Sequence, residues 1–249
     1  MQYIVTTSLR MNELLVAKAK QIAGGLGVRY VERKKQSVSA LLRRVDGILV
    51  VYQEQLTLEQ KNGQRLFFHP DTAILRIKSG RDPLVELVGA SAKRVLDCTM
   101  GLASDSIVLA SAGHRVTALE SSQLIHFIVR QGLQDFDSGD ESINQAMRGV
   151  KTLWTDSLTY LREQPDKSFD IIYFDPMFSQ KIKESQNLAG LAGLANVSRL
   201  NEDVLHEAKR VAREKIILKA HFRDRIFEEL GFVRHIRPNQ KFHYGEIIL

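Results

Sequence analysis

Three features of the sequence predict an α/β fold with a parallel sheet. Residues 169–178 read FDIIYFDPMF, and their continuous apolar run at 171–174 is typical of a strand covered on both faces. Residues 94–96 and 115–119 form a second and a third predicted strand, with a helical segment between them. Residues 1–66 alternate short apolar runs with helical patterns, which predicts a small α/β domain before the main one.

The strand at 169–174 ends at a carboxylate, a proline and an aromatic ring. Asp175 is placed at the carboxyl end of the strand, where open α/β sheets bind their ligands. Pro176 stiffens the turn and Phe178 offers a flat apolar surface. Together they predict a pocket for a planar base, although an Asp-Pro turn after a strand also occurs without any function.

The strand–helix–strand unit upstream predicts a nucleoside site. Asp97 ends the first strand, a loop with Gly101 follows, and a helix begins near Ser104, its expected N-cap. Glu120 ends the second strand 23 residues after Asp97. At that spacing the two strands lie side by side, and a carboxylate at the second tip can accept both hydroxyls of a ribose.

The loop at 98–103 argues against a dinucleotide. A pyrophosphate needs a G-x-G-x-x-G turn, and this loop has one glycine. S-adenosylmethionine has no phosphate, only an amino-acid end. We expect Asp97 and Asp105 to receive its ammonium group, and the loop that contains Thr99 and Gly101 to receive its carboxylate.

Four segments carry a resemblance to a known family: DCTMGLASDSIVLASAGHRVTALESS at 97–122, TDSL at 155–158, YFDPMF at 173–178 and IILK at 216–219. From about residue 68 onward the chain resembles the class I methyltransferases typified by ribosomal RNA small subunit methyltransferase J, which modify guanine N2. Asp-Pro-Met-Phe is particular, because most amine methyltransferases have a second proline where this chain has Met177.

The resemblance implies a Rossmann-like sheet of seven strands, which predicted strands at 215–218, 232–236 and 244–249 would complete. It implies S-adenosylmethionine contacts at Ser104, Asp105, Glu120, Ser121, Asp156, Ser157 and Asp175. We expect Asp175, Pro176 and Phe178 to be catalytic, and Met177, Phe178 and Lys219 to contact the substrate. Two positions depart from the family pattern: Ser104 replaces a basic residue, and residues 239–243 match loosely.

The positive charge is concentrated at the N-terminal end, which points to RNA as a partner. Residues 1–94 contain 16 Lys and Arg against 8 Asp and Glu, whereas residues 95–249 contain 19 against 21. The densest basic groups are Arg29, Arg33, Lys34, Lys35, Arg43 and Arg44, followed by Arg76, Lys78 and Arg81. Such a group binds phosphates or is simply a solvated face. We therefore predict a possible RNA-docking domain at 1–66 and a methyltransferase domain at 67–249.

Local patterns complete the prediction. A helix at 11–23 should end at the glycines around Gly24, and Asn62-Gly63 should form a hairpin turn. Residues 179–196 should form a lid or substrate loop, or else an ordinary surface connection. Trp154 is expected to pack in the core, with a wall of the adenine pocket as the alternative, and Cys98, the only cysteine, to be a small buried residue and not a nucleophile.

The composition suggests a cytoplasmic enzyme. The N-terminus lacks a signal-peptide pattern, and no apolar run reaches the roughly 20 residues of a membrane span. The seven scattered histidines argue against a metal centre. Three functions remain open: a ribosomal RNA guanine-N2 methyltransferase, another amine methyltransferase that acts on adenine N6 of RNA or DNA or on a small molecule, and a cofactor- and RNA-binding protein without catalysis.

Overall fold

A computed structural model describes residues 2–9, 12–176 and 200–249. The strands are β1 (Tyr3–Thr7), β2 (Arg29–Tyr30), β3 (Gly47–Val51), β4 (Leu56–Gln60), β5 (Arg65–Phe67), β6 (Arg94–Asp97), β7 (Arg115–Glu120), β8 (Lys151–Trp154), β9 (Phe169–Phe174), β10 (Ala212–His221), β11 (Val233–His235) and β12 (Phe242–Ile248). The helices are α1 (Glu13–Leu26), α2 (Val38–Leu42), α3 (Asp71–Lys78), α4 (Pro83–Val88), α5 (Ser104–Ser111), α6 (Gln123–Asp135), α7 (Glu141–Gly149), α8 (Ser157–Glu163), α9 (Glu202–Val211) and α10 (Ile226–Glu229).

The described residues form two compact units. One contains the residues up to 69 together with 123–136, and the other contains 70–122, 137–176 and 200–249. The helix α6 thus belongs to the first unit, although it follows β7 of the second in the chain. The division of the sequence into domains at 1–66 and 67–249 stays a prediction.

The first unit is built on a five-stranded sheet of order β2-β1-β3-β4-β5. β1 is parallel to β2 and β3, and the two pairings that follow, β3–β4 and β4–β5, are antiparallel. The hairpin predicted at Asn62-Gly63 is confirmed: Gly63 has a φ of 80° and lies between β4 and β5. A close approach fixes Gly132 of α6, where an added Cβ would lie 2.1 Å from the Phe68 ring.

The predicted end of the first helix was wrong. α1 continues through Gly24 and Gly25 to Leu26 and ends at Gly27, whose φ of 66° is left-handed. Each glycine inside a helix costs about 0.5–1 kcal/mol relative to alanine. Burying Leu26, which is 8% exposed, returns about 1.5–3 kcal/mol, so the helix gains by continuing for another turn.

The second unit contains the predicted sheet of seven strands, in the order β11-β12-β10-β9-β6-β7-β8. The five strands from β10 to β8 are parallel, and β12 is antiparallel to both β10 and β11. β9 lies in the middle of the sheet, and its residues 171–174 are each at most 2% exposed. The apolar run therefore predicted a central strand correctly.

This topology collects the polar strand ends on one edge. β6 pairs with β7 on one side and with β9 on the other, so the chain order reverses between β6 and β9. A crevice opens at such a switch point, outside the carboxyl ends of the strands. Asp97, Glu120 and Asp175 end or follow three adjacent strands at this edge. In the described part of the chain, helices lack the length and apolar content that a membrane span requires.

Candidate active site

The loop after β6 is organised by Asp97. Its carboxylate accepts hydrogen bonds from the Thr99 amide at 2.9 Å and from the Ser106 hydroxyl at 2.6 Å. Asp97 is 1% exposed, and burial raises its pKa to about 7. The carboxylate thus holds the loop against the start of α5, and its predicted contact with the cofactor ammonium stays a prediction.

Two hydrogen bonds connect this loop to the end of β9. The Cys98 amide donates to the Tyr173 carbonyl at 2.9 Å, and the Asp175 amide donates to the Thr99 hydroxyl oxygen at 2.6 Å. The backbone of Asp175 is thereby fixed at the switch point. Cys98 itself is 7% exposed, so the expectation of a small buried cysteine is confirmed.

Lys219 joins two acids of the site. Its ammonium group lies 2.7 Å from the Asp175 carboxylate and 3.0 Å from the Asp105 carboxylate. Asp105 also pairs with Arg76, which in turn binds Asp82 at 2.8 Å. Five alternating charges therefore run from Asp82 to Asp175, which places Asp175 at the end of an ionic chain.

The charges in this chain shift the pKa of each member. Burial alone would raise the pKa of Asp105, but Lys219 and Arg76 outweigh it and hold the pKa well below its usual range. Burial raises the pKa of Asp175 to about 6, against the opposing pull of Lys219. Burial would lower the pKa of Lys219, but Asp105 and Asp175 raise it above its usual range. Asp175 is thus mostly ionised at neutral pH, and its pKa lies close enough to neutrality for proton transfer.

Sequence reasoning missed part of this network. The sequence groups Arg76 and Arg81 with the phosphate-binding candidates, but in the structure Arg76 pairs with Asp82 and Asp105, and Arg81 lies 2.5 Å from Glu86. The Tyr173 hydroxyl, inside the apolar run, donates to Asp105 at 2.9 Å. A tyrosine inside an otherwise apolar run at 171–174 was the available signal, since a buried hydroxyl requires a partner.

The cofactor side of the edge begins at Glu120. Its carboxylate accepts from the Ser122 amide at 2.7 Å, and burial raises its pKa. Gly101 has a φ of 50°, and an added Cβ would meet nothing closer than the Thr99 carbonyl at 3.9 Å, so this part of the loop is open. A carboxylate beside an open glycine loop has the donor set and the space for a ribose. These residues fit S-adenosylmethionine.

The helix α5 begins at Ser104, close to the predicted start, but its N-cap differs from the prediction. Ser104 is the first residue of the helix and Ala103, with a φ of 62°, is the N-cap, without a side-chain capping bond. The reason is the left-handed turn at Ala103, which brings the chain into the helix one residue early. The first amides of a helix have no partner inside it, so they can donate to a carboxylate.

The end of β8 carries three further candidates. Asp156 caps α8 by accepting from the Thr159 amide at 2.9 Å, and Ser157 is the first residue of that helix. Trp154 is 56% exposed and donates to the Ser121 carbonyl at 3.1 Å, so the expectation that it packs in the core was wrong. β8 is the last strand of the sheet, and fewer elements cover an edge strand than a central one. The Trp154 ring therefore lies on the surface.

The remaining candidates are placed only in part. Pro176 is half-buried at the end of the described segment. Met177, Phe178 and the predicted loop at 179–196 lie outside the described residues. The candidate positions that the structure does describe, from Asp97 to Lys219, all belong to the second unit.

The match to a family model decides what kind of protein this is. The model of putative SAM-dependent methyltransferases covers residues 43–229, about three quarters of the chain. The chain belongs to this family. S-adenosylmethionine is therefore the cofactor of this methyltransferase, as the resemblance implied.

Individual relatives agree with the family. Uncharacterized protein YpiP of Bacillus subtilis is 37% identical to the methyltransferase over 98% of each chain. Ribosomal RNA small subunit methyltransferase J of Desulfotalea psychrophila is 24% identical over 82% of this chain and 81% of its own. The SAM-dependent methyltransferase NGO1261 from Neisseria gonorrhoeae superimposes with a TM-score of 0.64 at 15% identity, covering 98% and 95% of the two chains. That superposition supports the Rossmann-like fold.

Proposed function

We propose that this methyltransferase transfers a methyl group to the exocyclic N2 amine of a guanine in small-subunit ribosomal RNA. The observation that carries the proposal is Asp175, which is fixed at the switch point and followed by Pro-Met-Phe. Its side chain is 25% exposed, so a base in the crevice can reach it. The similarity to ribosomal RNA small subunit methyltransferase J supports the choice of substrate.

In this proposal the strand ends hold the cofactor along its length. Glu120 and Ser121 bind the ribose, Asp156 and Ser157 the adenine, and the loop from Asp97 to Asp105 the amino-acid end. When bound, S-adenosylmethionine supplies an electrophilic methyl carbon. The ionised Asp105 keeps Lys219 beside Asp175.

The catalytic task is to make a poor nucleophile reactive. The lone pair of an exocyclic amine is delocalised into the base, and hydrogen bonds from the amine to a carboxylate localise it as the N–C bond forms. The bond between the sulfonium sulfur and the methyl carbon would break in the same displacement, and the amine would lose one proton, which the Asp175 carboxylate can accept. The Asp175 carboxylate and the Pro176 carbonyl accept those bonds, and Phe178 stacks on the base. Extruding the base costs a few kcal/mol, and stacking returns about 1–3 kcal/mol. Holding the amine about 3 Å from the methyl carbon, in line for the displacement, provides the remaining rate acceleration.

Lys219 acts in this mechanism as a positioning residue. It is bound to both acids, so it holds the Asp175 carboxylate in one place and favours its ionised form. An ionised carboxylate only accepts hydrogen bonds, with both of its oxygens, whereas protonation turns one oxygen into a donor. The direct contact of Lys219 with the substrate stays a prediction.

The first unit is proposed to bind RNA through its exposed cations. Lys34 and Lys35 are the central residues of a turn closed by the Gln36 amide, which donates to the Arg33 carbonyl at 2.7 Å. Both lysines have left-handed backbones, with φ of 43° and 65°, an uncommon and costly conformation for residues with a Cβ. Arg33 is only 8% exposed and donates to the Gln36 carbonyl, so it shapes the turn rather than the charged surface. The two lysines at the tip are the better phosphate ligands.

The test is a nucleoside mass profile of ribosomal RNA from cells with and without the gene. The proposal expects that N2-methylguanosine in small-subunit RNA falls by one residue per particle and returns when the gene is restored. Loss of N6-methyladenosine instead would assign the same site to adenine. An unchanged ribosomal RNA profile would remove ribosomal RNA as the substrate.

A further inference from the structure

A group of aromatic rings and cations lies at the end of β10, next to the active site. The group consists of His221, Phe222, Arg223, Phe242 and His243, and we call it the β10 platform. Phe222 is 37% exposed and Arg223 is exposed. All five residues are in the second unit, and the catalytic network described above does not include them.

The rings of the platform pack on one another. The His221 and Phe222 centroids are 4.7 Å apart, those of His221 and Phe242 are 6.1 Å apart, and those of Phe222 and His243 are 6.2 Å apart. The Arg223 guanidinium lies 5.1 Å from the Phe222 centroid, within the range of a cation–π contact. The ring planes meet at 39°, 84° and 44°, so the rings form a tilted, edge-packed cluster in which Phe222 is the exposed ring and Arg223 lies over it.

One backbone hydrogen bond and the side chain of Arg234 hold the platform in place. The Phe222 amide donates to the Lys241 carbonyl at 2.9 Å, and Arg234 donates to the Phe222 carbonyl. Arg234 also donates to the His243 ring at 3.0 Å, which joins the two sides of the platform. A surface that is already ordered loses little entropy when a ligand binds.

The register of the sheet places the platform beside Lys219. Lys219 and His221 are two residues apart in β10, so their side chains are on the same face, about 7 Å apart along the strand. Their partners in β12 are Tyr244 and Phe242, and the Lys219 ammonium lies 5.7 Å from the Phe242 centroid. The platform thus begins one strand repeat from the lysine that binds Asp175.

The charge around the platform favours a polyanion. Residues 221–243 contain five Lys and Arg, at 223, 225, 234, 237 and 241, against the three acids at 224, 228 and 229, of which Glu228 pairs with Arg234. An exposed aromatic ring beside an arginine is a combination by which proteins bind unpaired nucleotides, because a base can stack on the ring or on the guanidinium plane and every nucleotide has a phosphate.

We propose that the β10 platform binds a nucleotide of single-stranded RNA that flanks the modified base, with its base on Phe222 and its phosphate on Arg223. The inference rests on the proposed function, since it assumes that the polyanion is RNA. It adds a second contact to the substrate: Asp175 binds the reacting base, and the platform holds a neighbouring nucleotide.

The experiment measures binding of a fluorescein-labelled single-stranded RNA of about 12 nucleotides by anisotropy, at several salt concentrations. Phe222→Ala should weaken binding by about 5- to 150-fold, as expected for loss of one stacked base. Phe222→Trp should bind as the wild type does. Arg223→Ala should lower the slope of log K against log salt by about 0.7, as expected for one phosphate contact on a single strand.

Matched control residues lie at the end of the sheet where the parallel strands begin, opposite their carboxyl ends. Ile248→Ala removes an exposed apolar side chain that is paired with Lys215, far from the carboxyl ends. Arg115→Ala removes an exposed arginine at the amino end of β7. Neither should change RNA affinity or salt slope, and all variants should keep the wild-type affinity for S-adenosylmethionine and the wild-type melting temperature.

The outcomes separate the platform from the proposed function. The platform is overturned if Phe222→Ala binds the RNA as tightly as the wild type does at every salt concentration. An unchanged KM for RNA in a Phe222→Ala enzyme that still methylates guanine overturns the platform but leaves the function intact. If Phe222→Ala loses RNA affinity and the wild type methylates no guanine, the platform is supported and the proposed function is overturned.

Discussion

Replacing Lys219 by methionine tests how the site keeps Asp175 ionised. Lys219 lies 2.7 Å from the Asp175 carboxylate and is the main factor that opposes the effect of burial on its pKa. An opposite charge within about 4–6 Å shifts a carboxyl pKa by about 1–3 units. Its removal should therefore raise the pKa of Asp175 from about 6 to roughly 7–9. Asp105 keeps Arg76 as a partner, so the variant retains most of the network.

The rate should fall at low pH, because the ionised form of Asp175 is the active one. The ionised carboxylate is the strong acceptor, and protonation removes its charge and converts one oxygen into a donor, so the rate falls as the pH drops through the pKa of Asp175. At pH 7 about 90% of the wild type is ionised, whereas the variant should be roughly 1–50% ionised. We expect a loss of about 2- to 100-fold in the rate at pH 7 that largely recovers at higher pH.

The assay is single-turnover methylation from pH 5 to pH 10 with saturating S-adenosylmethionine. Lys219→Arg is the conservative control and should keep the acid limb near the wild-type position, because it retains the charge. Melting curves and calorimetric titration of the cofactor verify that each variant folds and binds. The same acid midpoint in Lys219→Met and wild type would refute the assignment of Lys219 as the residue that holds Asp175 ionised.

Two further predictions concern the cofactor and the RNA. Glu120→Ala should weaken S-adenosylmethionine binding by about 1–3 kcal/mol, because it removes hydrogen bonds to a charged group; calorimetric titration with unchanged affinity would remove Glu120 from the site. Changing both Lys34 and Lys35 to Glu should weaken RNA binding and lower its salt slope while cofactor affinity stays the same, whereas Lys61→Glu, on the exposed hairpin, should do neither. A salt slope equal to that of the wild type would mean that the two lysines form only a solvated face.

Local patterns predicted much of the fold. The apolar run at 171–174 reflects strand burial, and the distance from Asp97 to Glu120 reflects the length of one strand–helix–strand unit. Both signals lie within a short stretch of sequence, so they can be recognised without the structure. The turn at Asn62-Gly63 depends on backbone preference alone. These signals were sufficient to place the carboxyl ends of the strands, and with them the candidate site.

The remaining features depend on contacts that are distant in sequence. Lys219 meets Asp105 across 114 residues, a pairing that no local pattern encodes. Trp154 is exposed because β8 ends the sheet, and strand order is not readable from one strand. α1 passes two glycines because tertiary burial of Leu26 outweighs local propensity.

The most direct test of the central claim is single-turnover transfer from methyl-labelled S-adenosylmethionine to small-subunit ribosomal RNA or particles, followed by nucleoside mass analysis. The account predicts labelled N2-methylguanosine with the wild type. It predicts a much lower rate with Asp175→Ala, a variant that should fold and bind the cofactor normally. Full activity of a well-folded Asp175→Ala protein would contradict the mechanism, and a label on any nucleoside other than guanosine would contradict the proposed substrate.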